Sequence, residues 1–249
     1  MQFADLKVRL FADGADKASM LALADNPLIA GFTTNPTLMR KAGVTDYHTF
    51  ARDVLAAVPD RPISFEVVSD DFDAMEREAR ALAAWGANVC VKIPVTNTRG
   101  EPAGDLVHRL AVDGIHVNVT AILTLPQVEA ACEWLAGCRI GYISVFAGRI
   151  ADTGRDPVPV MAEAVRIMSA NSALELVWAS PREILNVVQA DSVGCHIVTL
   201  TDDLIAKLPL LGKDLDEFSL ETVAMFAHDA RSAGLSVVAE PADTTVAVA

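Results

Sequence analysis

The chain has 249 residues, of which 52% are hydrophobic, and its formal net charge is −13. This length suits one large domain with ample material for a core, and α/β barrels commonly reach this size as a single unit. The acidic balance argues against nucleic acid or an anionic membrane as partner, because both favour a basic surface.

Membrane-span and secretory signals are missing from the sequence. No apolar run reaches the roughly 18 residues of a membrane span, and the first five residues lack a basic segment followed by an apolar one. The four cysteines form no CxxC pair and are Cys90, Cys132, Cys138 and Cys195. Scattered thiols of this kind are typical of reduced cysteines, so we expect a cytoplasmic protein.

Eight apolar runs with strand-like composition alternate with segments of helical spacing. The predicted strands are Val8–Asp13, Ile29–Thr33, Ile63–Val68, Asn88–Val95, His116–Ile122, Ile140–Phe146, Leu174–Ala179 and Cys195–Leu200. The clearest predicted helix has an apolar face formed by Phe72, Met75, Ala79, Leu82 and Trp85. Asp70 and Asp71 are its candidate N-terminal caps, and Gly86 is its stop signal. A second helix is predicted over Leu125–Leu135, with Pro126 in its first turn.

This alternation predicts an α/β fold with a parallel sheet, closed as a (β/α)8 TIM barrel. The alternative is an open doubly wound sheet, which normally carries a GxGxxG turn after its first strand. The segment Asp13-Gly14-Ala15-Asp16 is not such a turn. Beyond the last strand, Asp214–Ala230 predicts an additional C-terminal helix and Glu240–Ala249 a loose tail. Residues 1–249 are therefore predicted to form a single domain.

Lys92 is the most unusual residue, because it lies in the apolar, β-branched run Asn88–Val95. Lysine is almost never fully buried without a reason, and a desolvated amine loses its proton more readily and can attack a carbonyl. Lys92 is therefore the candidate Schiff-base nucleophile. The alternative is a lysine at a strand end that extends to solvent or pairs with a carboxylate.

The alternation of side chains along neighbouring strands places polar groups on one face. These groups are Ser64 and Glu66, Cys90 and Lys92, Asn118 and Thr120, and Tyr142, Ser144 and Phe146. Asp13 and Asn35 close the first two strands. Because unpaired buried polar groups cost about 1–3 kcal/mol each, a shared polar site explains the pattern better than a purely structural barrel.

These residue types suit chemistry on carbonyl compounds. Lys92 supplies an amine, Glu66 an acid/base acting through a water that Thr120 helps to position, and Asp13 a base for a hydroxyl. Asn35, Asn118 and Ser144 offer hydrogen bonds to substrate hydroxyls. Each has a simpler interpretation, in which Asp13 caps a helix, Asn35 is a turn residue and Ser144 binds backbone.

Arg149, Ser180 and Arg182 follow the sixth and seventh predicted strands. Barrels often hold a phosphate near the last strands, and an arginine fork suits that anion. The alternative is a surface salt bridge with Asp152 or Glu183.

Five ordered motifs between Leu10 and Leu208 resemble those of the transaldolase family, which includes short fructose-6-phosphate aldolases. They are Gly31-Phe32-Thr33-Thr34-Asn35-Pro36-Thr37-Leu38, Val91-Lys92-Ile93-Pro94-Val95-Thr96, Asn118-Val119-Thr120-Ala121, Ser144-Val145-Phe146-Ala147-Gly148-Arg149-Ile150 and Ala179-Ser180-Pro181-Arg182. The resemblance implies a lysine imine with a ketose phosphate, aldol cleavage and transfer of a dihydroxyacetone unit to an aldose phosphate, as in the pentose phosphate pathway. The implied substrate-binding residues are Thr34, Asn35, Asn118, Ser144, Phe146, Arg149, Ser180 and Arg182.

Glu66 and Phe146 resemble the transaldolase pattern, whereas the aldolase branch has Gln and Tyr there. Because Phe cannot protonate a departing carbanion, transfer is favoured over release. The alternatives are a fructose-6-phosphate aldolase and a non-catalytic sugar-phosphate-binding barrel. The chain departs from the family at Pro181, which replaces an aromatic residue, and at Trp178, which we expect to point inward below the site.

The sequence predicts no cofactor and no metal, because the five histidines are dispersed and form no HExxH motif. Sugar phosphates are the expected partners. A homo-oligomer is compatible with the sequence, since the C-terminal helix has the pattern to pack on its own barrel or on that of a neighbour.

Overall fold

The computed structural model describes residues 5–237. Eight parallel strands close into a barrel in which each strand pairs with the next and β8 pairs with β1. The strands are β1 Arg9–Asp13, β2 Ile29–Thr33, β3 Ile63–Glu66, β4 Val89–Pro94, β5 Val117–Ile122, β6 Gly141–Val145, β7 Leu174–Trp178 and β8 Ile197–Leu200. The predicted (β/α)8 fold is confirmed, and every predicted strand ends within two residues of an observed one.

Helices follow the strands in alternation. They are α1 Lys17–Ala24, α2 Pro36–Lys41, α3 Tyr47–Ala57, α4 Phe72–Ala83, α5 Gly104–Val112, α6 Leu125–Trp134, α7 Ala147–Asp152, α8 Val158–Met168, α9 Leu185–Ser192, α10 Asp202–Ile205 and α11 Leu215–Ser232. The chain divides into two compact units, and the described parts of these are residues 5–208, which hold the barrel, and 209–237, which hold α11.

The C-terminal unit contains the predicted additional helix, which is confirmed as α11. The Asp214 side chain caps it by accepting hydrogen bonds from the backbone N–H groups of Asp216 and Glu217. The predicted loose tail Glu240–Ala249 lies outside the described residues, and the single domain over residues 1–249 stays a prediction.

Helix α4 shows how the local sequence sets an element. Asp71 accepts a hydrogen bond from the N–H of Ala74 at 3.0 Å and so caps the first turn, as predicted. Asp70, the other candidate cap, instead binds the N–H and the hydroxyl of Thr98 at 2.7 and 2.6 Å. The predicted stripe of Met75, Ala79 and Leu82 is buried toward the barrel.

Two apolar layers lie on the two faces of the sheet. The outward-facing strand residues pack with the helices in one large core, whereas a small cluster fills the barrel interior. The interior cluster consists of Phe11, Cys90, Tyr142, Val177 and Ile197. Two residues after each of them, toward the C-terminal end of the strand, lies another inward-facing residue. These residues are Asp13, Lys92, Ser144, Ala179 and Thr199. The small cluster is therefore an apolar floor beneath a more polar layer.

Gly31 of β2 is required by the packing of this floor. A Cβ at Gly31 would lie 2.6 Å from the Phe11 ring, which is fully buried and meets Tyr142 edge to face. Because Gly31 has no side chain, the Phe11 ring can occupy the space next to β2.

Gly31→Ala is expected to reduce the free energy of unfolding by about 1–3 kcal/mol, because overpacking an enclosed site outweighs the smaller strand preference gained by alanine. Urea unfolding followed by circular dichroism measures this change. The matched control is Gly14→Ala, where no atom lies within 4 Å of the added methyl group. Equal stability of the two variants would contradict this account of the floor.

Candidate active site

A cavity of about 490 Å³ opens at the C-terminal ends of the strands. All eight strands or the residues directly after them contribute to its wall. The polar and charged wall residues are Asp13, Thr33, Asn35, Thr37, Lys41, Glu66, Lys92, Thr120, Ser144, Arg149, Ser180, Arg182, Thr199 and Thr201. This is the end of a (β/α)8 barrel where active sites are built.

Lys92 lies inside the barrel and is only 6% exposed. Its Nζ is 2.9 Å from Oε2 of Glu66 and donates a hydrogen bond to the carbonyl oxygen of Thr34 at 2.9 Å. Glu66 and Lys92 are register partners on β3 and β4, so neighbouring strands bring the two charges together. The structure excludes the alternative of a lysine that extends to solvent. Pairing with a carboxylate is observed, and it occurs within the cavity wall.

Further hydrogen bonds hold the backbone of Glu66 and of Thr34, the two residues that contact the Lys92 amine. The hydroxyl of Tyr47, on α3, donates to the carbonyl oxygen of Glu66 at 2.9 Å, and burial raises the pKa of this Tyr47 hydroxyl. The N–H and the hydroxyl of Thr34 both donate to the carbonyl oxygen of Ser64, at 3.0 and 2.9 Å. These hydrogen bonds fix the backbone of Glu66 and of Thr34 next to the amine.

Asp13 ends β1 and accepts a hydrogen bond from the Thr33 hydroxyl at 2.8 Å. Burial raises the pKa of the Asp13 carboxyl, against the lowering effects of the Lys92 charge and of the Thr33 hydrogen bond. A carboxylate held this way is a better proton acceptor than an exposed one. The helix-cap interpretation is wrong, because Asp16 caps α1.

A buried amide network lies between β3 and β6. Asn118 accepts a hydrogen bond from the Ser144 hydroxyl at 2.7 Å and its Nδ2 is 3.4 Å from the Ser64 hydroxyl. Ser144 lines the cavity, whereas Asn118 and Thr34 do not. In this structure Asn118 and Thr34 thus support neighbouring residues, and direct contact of these two with substrate stays a prediction.

Thr120 lines the cavity. Its Oγ1 is buried and has no hydrogen-bond partner among residues 5–237. The next residue, Ala121, has φ of +62°, in the left-handed region that non-glycine residues rarely adopt. The pairing of β5 with β6 shifts register at this point, between Val119 and Ile122. A bulge of this type redirects a side chain, and here it coincides with an unpaired hydroxyl.

The residues after β6 and β7 form the cationic side of the cavity. The Arg149 guanidinium lies over the Phe146 ring, with Cζ 5.3 Å from its centroid. Arg182 contacts Asp152 through two hydrogen bonds, as the salt-bridge alternative predicted, and it lines the cavity as well. Asn35 also has two roles, because it lines the cavity while its Oδ1 caps α2 on the N–H of Leu38 at 2.9 Å.

The predicted inward position of Trp178 is wrong. Trp178 is fully buried in the layer between the strands and the helices, and its neighbours Val177 and Ala179 face the interior and the cavity. Side chains alternate along a strand, so Trp178 must face outward. It therefore does not narrow the sugar-binding region. Pro181 does line the cavity.

Several wall residues were missed from the sequence, including Thr33, Lys41, Thr199 and Thr201. The alternation test applied to β8 would have found Thr199, which is two residues beyond the inward-facing Ile197. No pattern in the sequence marks Lys41 as a cavity residue, because its position depends on the direction in which α2 runs. Within residues 5–237, no group of three or more His, Cys, Asp or Glu side chains is arranged to hold a metal ion.

Comparison with solved structures defines the class of fold. The chain is similar to a dihydrodipicolinate synthase from Rhodopseudomonas palustris, with a TM-score of 0.58 and 15% identity over 90% of this chain and 79% of that one. It is also similar to a putative phosphonomutase from Burkholderia cenocepacia, with a TM-score of 0.53 and 13% identity over 89% of this chain and 94% of that one. At these identities the likeness shows the fold alone.

Comparison with sequence families is more specific. The family described as Transaldolase/Fructose-6-phosphate aldolase matches residues 10–237. A probable transaldolase 2 of Listeria monocytogenes is 35% identical over 216 residues, covering 85% of this chain and 94% of the relative. A probable transaldolase of Streptococcus pyogenes is 36% identical over 215 residues, covering 85% and 96%. The chain belongs to the transaldolase/fructose-6-phosphate aldolase family, and its function is of the transaldolase type.

The family assignment confirms the resemblance identified from the five motifs. Separately, none of the helices within residues 5–237 has both the length and the apolar character needed to cross a membrane.

The raised pKa of Asp13 predicts a pH-dependent stability effect. Because the folded-state pKa lies above the ordinary value of 3.8, ionised Asp13 destabilises the folded protein once the pH exceeds that value. Asp13→Asn is therefore expected to raise the melting temperature at pH 7–8, by about 2–4 °C for each kcal/mol relieved. The difference in melting temperature between Asp13→Asn and wild type should become smaller as the pH falls toward 4.

Thermal unfolding at several pH values between 4 and 8 measures the effect. Asp60→Asn removes a carboxyl from an exposed loop position and serves as the control. A melting temperature of Asp13→Asn that falls below wild type at pH 8 and recovers at pH 4 would contradict the assigned sign.

Proposed function

We propose that this protein transfers a dihydroxyacetone unit from a ketose phosphate to an aldose phosphate through an imine on Lys92. The observation that carries this proposal is the contact between Lys92 Nζ and Glu66 Oε2, 2.9 Å long, in a cavity lined by hydroxyl groups. Membership of the family supports the type of reaction. The roles given to individual residues below are part of the proposal.

Imine formation begins with the proton on Lys92. Glu66 takes one proton from the ammonium across their direct contact, and the free amine adds to the ketone carbon of the sugar. The second amine proton passes to the former carbonyl oxygen, which becomes the hydroxyl of a carbinolamine. Glu66 then returns its proton to this hydroxyl, which leaves as water, so that a protonated imine remains.

Thr120 assists these proton transfers. Its buried hydroxyl has no partner among residues 5–237, so it is available to hold the departing water or the carbinolamine hydroxyl. A buried hydroxyl without a partner is costly in a purely structural role. Its cost is offset when the substrate supplies the missing hydrogen bond.

Carbon–carbon cleavage requires a base at a substrate hydroxyl. Asp13 lies in the same cavity wall as Lys92, and its raised pKa suits it to take the proton of the hydroxyl beyond the breaking bond. The electron pair of that bond moves to the imine nitrogen, which gives an enamine and a free aldose. In the second half, the enamine attacks an acceptor aldehyde, Asp13 returns the proton to the new hydroxyl, and a protonated imine forms again. Water adds to this imine by the reverse of the steps above, which frees the new ketose phosphate and restores the Lys92 ammonium.

Phe146 favours transfer over release of the three-carbon unit. Its ring lines the cavity and carries no group able to protonate the enamine carbon. The enamine therefore persists until an aldehyde arrives. Arg149 and Arg182, on the same side of the cavity, are the proposed phosphate ligands, while Asn35, Ser144 and Ser180 are the proposed ligands of sugar hydroxyls.

Reduction with borohydride in the presence of fructose 6-phosphate is expected to add the reduced sugar fragment to Lys92, as measured by peptide mass analysis. Lys92→Arg should give no adduct, because the guanidinium is not nucleophilic. Lys17→Arg is the matched control, since Lys17 is an exposed lysine paired with Asp53 outside this cavity. The absence of a Lys92 adduct with any ketose phosphate would overturn the proposal.

Addition of erythrose 4-phosphate distinguishes transfer from release. We expect the acceptor to accelerate consumption of fructose 6-phosphate at least tenfold, with little free dihydroxyacetone formed. Equal rates with and without acceptor would instead identify an aldolase.

A further inference from the structure

The Arg182 guanidinium is already bound to a carboxylate of the same chain. Its Nε donates to Oδ1 of Asp152 at 2.8 Å and its Nη2 donates to Oδ2 at 2.5 Å. Asp152 is the last residue of α7 and lies three residues after Arg149, so the two share a helix face. The Arg182 hydrogen bonds lower the pKa of the Asp152 carboxyl, which keeps it ionised at neutral pH.

Arg182 is held in position independently of Asp152. Its Nη1 donates to the carbonyl oxygen of Ser180 at 3.1 Å, and its backbone N–H donates to the side chain of Asn186 at 2.7 Å. Ser180 has φ of +57°, and its carbonyl oxygen lies where a Cβ on Gly148 would be, 1.5 Å away. Gly148 thus permits a backbone arrangement that fixes the Ser180 carbonyl, and with it the Arg182 fork.

We propose that Asp152 is a specificity-determining residue that competes with the substrate phosphate for the Arg182 guanidinium. This inference rests on the proposed function, which places a sugar phosphate beside Arg149 and Arg182. A guanidinium edge that offers Nε and Nη2 binds a carboxylate or a phosphate in the same two-bond geometry, but not both at once. A phosphate must therefore displace Asp152 to use this edge.

The magnitude of the competition follows from the exposure of the pair. The side chains of Arg182 and Asp152 are 45% and 53% exposed. Exposed ion pairs change an equilibrium by up to about fivefold, so a dianion can displace the carboxylate at moderate cost. An unphosphorylated sugar does not need to displace it. Asp152 therefore weakens the binding of phosphorylated substrates only, and so reduces the preference of the site for them over unphosphorylated ones.

Asp152→Asn is expected to lower the inhibition constant of inorganic phosphate and the KM for fructose 6-phosphate by about two- to fivefold. The kcat with fructose 6-phosphate and the KM for unphosphorylated fructose should change by less than twofold, because neither depends on the phosphate contact. These constants are measured on the full chain at constant ionic strength, since exposed charges are screened by salt. Asp152→Ser provides a second test if the asparagine variant is unstable.

The matched control is Glu163→Gln. Glu163 makes the same two-bond contact with Arg166 on α8, outside the cavity. Loss of the Glu163 charge should leave the inhibition constant of phosphate and the KM for fructose 6-phosphate unchanged. An inhibition constant for phosphate that is unchanged or raised in both Asp152 variants would overturn the inference.

Arg182→Gln separates this inference from the proposed function. We expect it to raise the inhibition constant of phosphate at least tenfold, and no change would overturn both the phosphate site and the competition at it. Direct titration of inorganic phosphate by calorimetry measures the same competition without turnover. If borohydride traps no sugar on Lys92 while Asp152→Asn still lowers the dissociation constant of phosphate in that titration, the proposed reaction fails and the competition stands.

Discussion

The contact between Lys92 and Glu66 is the interaction on which the rest of the site depends. An ammonium removed from water needs a partner, and burying either ion alone costs several kcal/mol. The barrel supplies the partner by pairing Glu66 with Lys92 across β3 and β4. A slip of one residue in this register would turn one of the two side chains toward the helices, so the pairing of strands and the chemistry are linked.

The layers of the barrel separate stability from function. The large core between strands and helices is apolar, and the interior floor of Phe11, Cys90, Tyr142, Val177 and Ile197 closes the barrel from below. Above that floor the inward-facing side chains become polar, and several of them carry a cost. The pKa of Asp13 is raised by burial, Thr120 has no hydrogen-bond partner among residues 5–237, and Ala121 has a positive φ. Stability gained in the apolar layers permits these features at the cavity.

Much of this arrangement could be predicted from the sequence, because polar residues on alternate positions fix which face of a strand points inward. That test succeeded on β3 to β6, where Glu66, Lys92, Thr120 and Ser144 all line the cavity. It failed on β7, since Leu174–Trp178 is apolar on both faces apart from Glu175, and the phase assigned to Trp178 was wrong. The sequence allows Arg182 to pair with Asp152 or with Glu183, and only the positions of α7 and of the loop after β7 select Asp152. The placement of Lys41 likewise depends on tertiary structure.

The proposed reaction depends on Glu66 taking the proton that frees the Lys92 amine. The most direct measurement is the rate of imine formation in a single turnover, obtained by rapid quenching with borohydride in wild type and in Glu66→Gln. We expect this rate to fall by about 10²–10⁴-fold in Glu66→Gln, the range typical of a lost general acid–base group. An imine that forms in Glu66→Gln within twofold of the wild-type rate would contradict this role of Glu66.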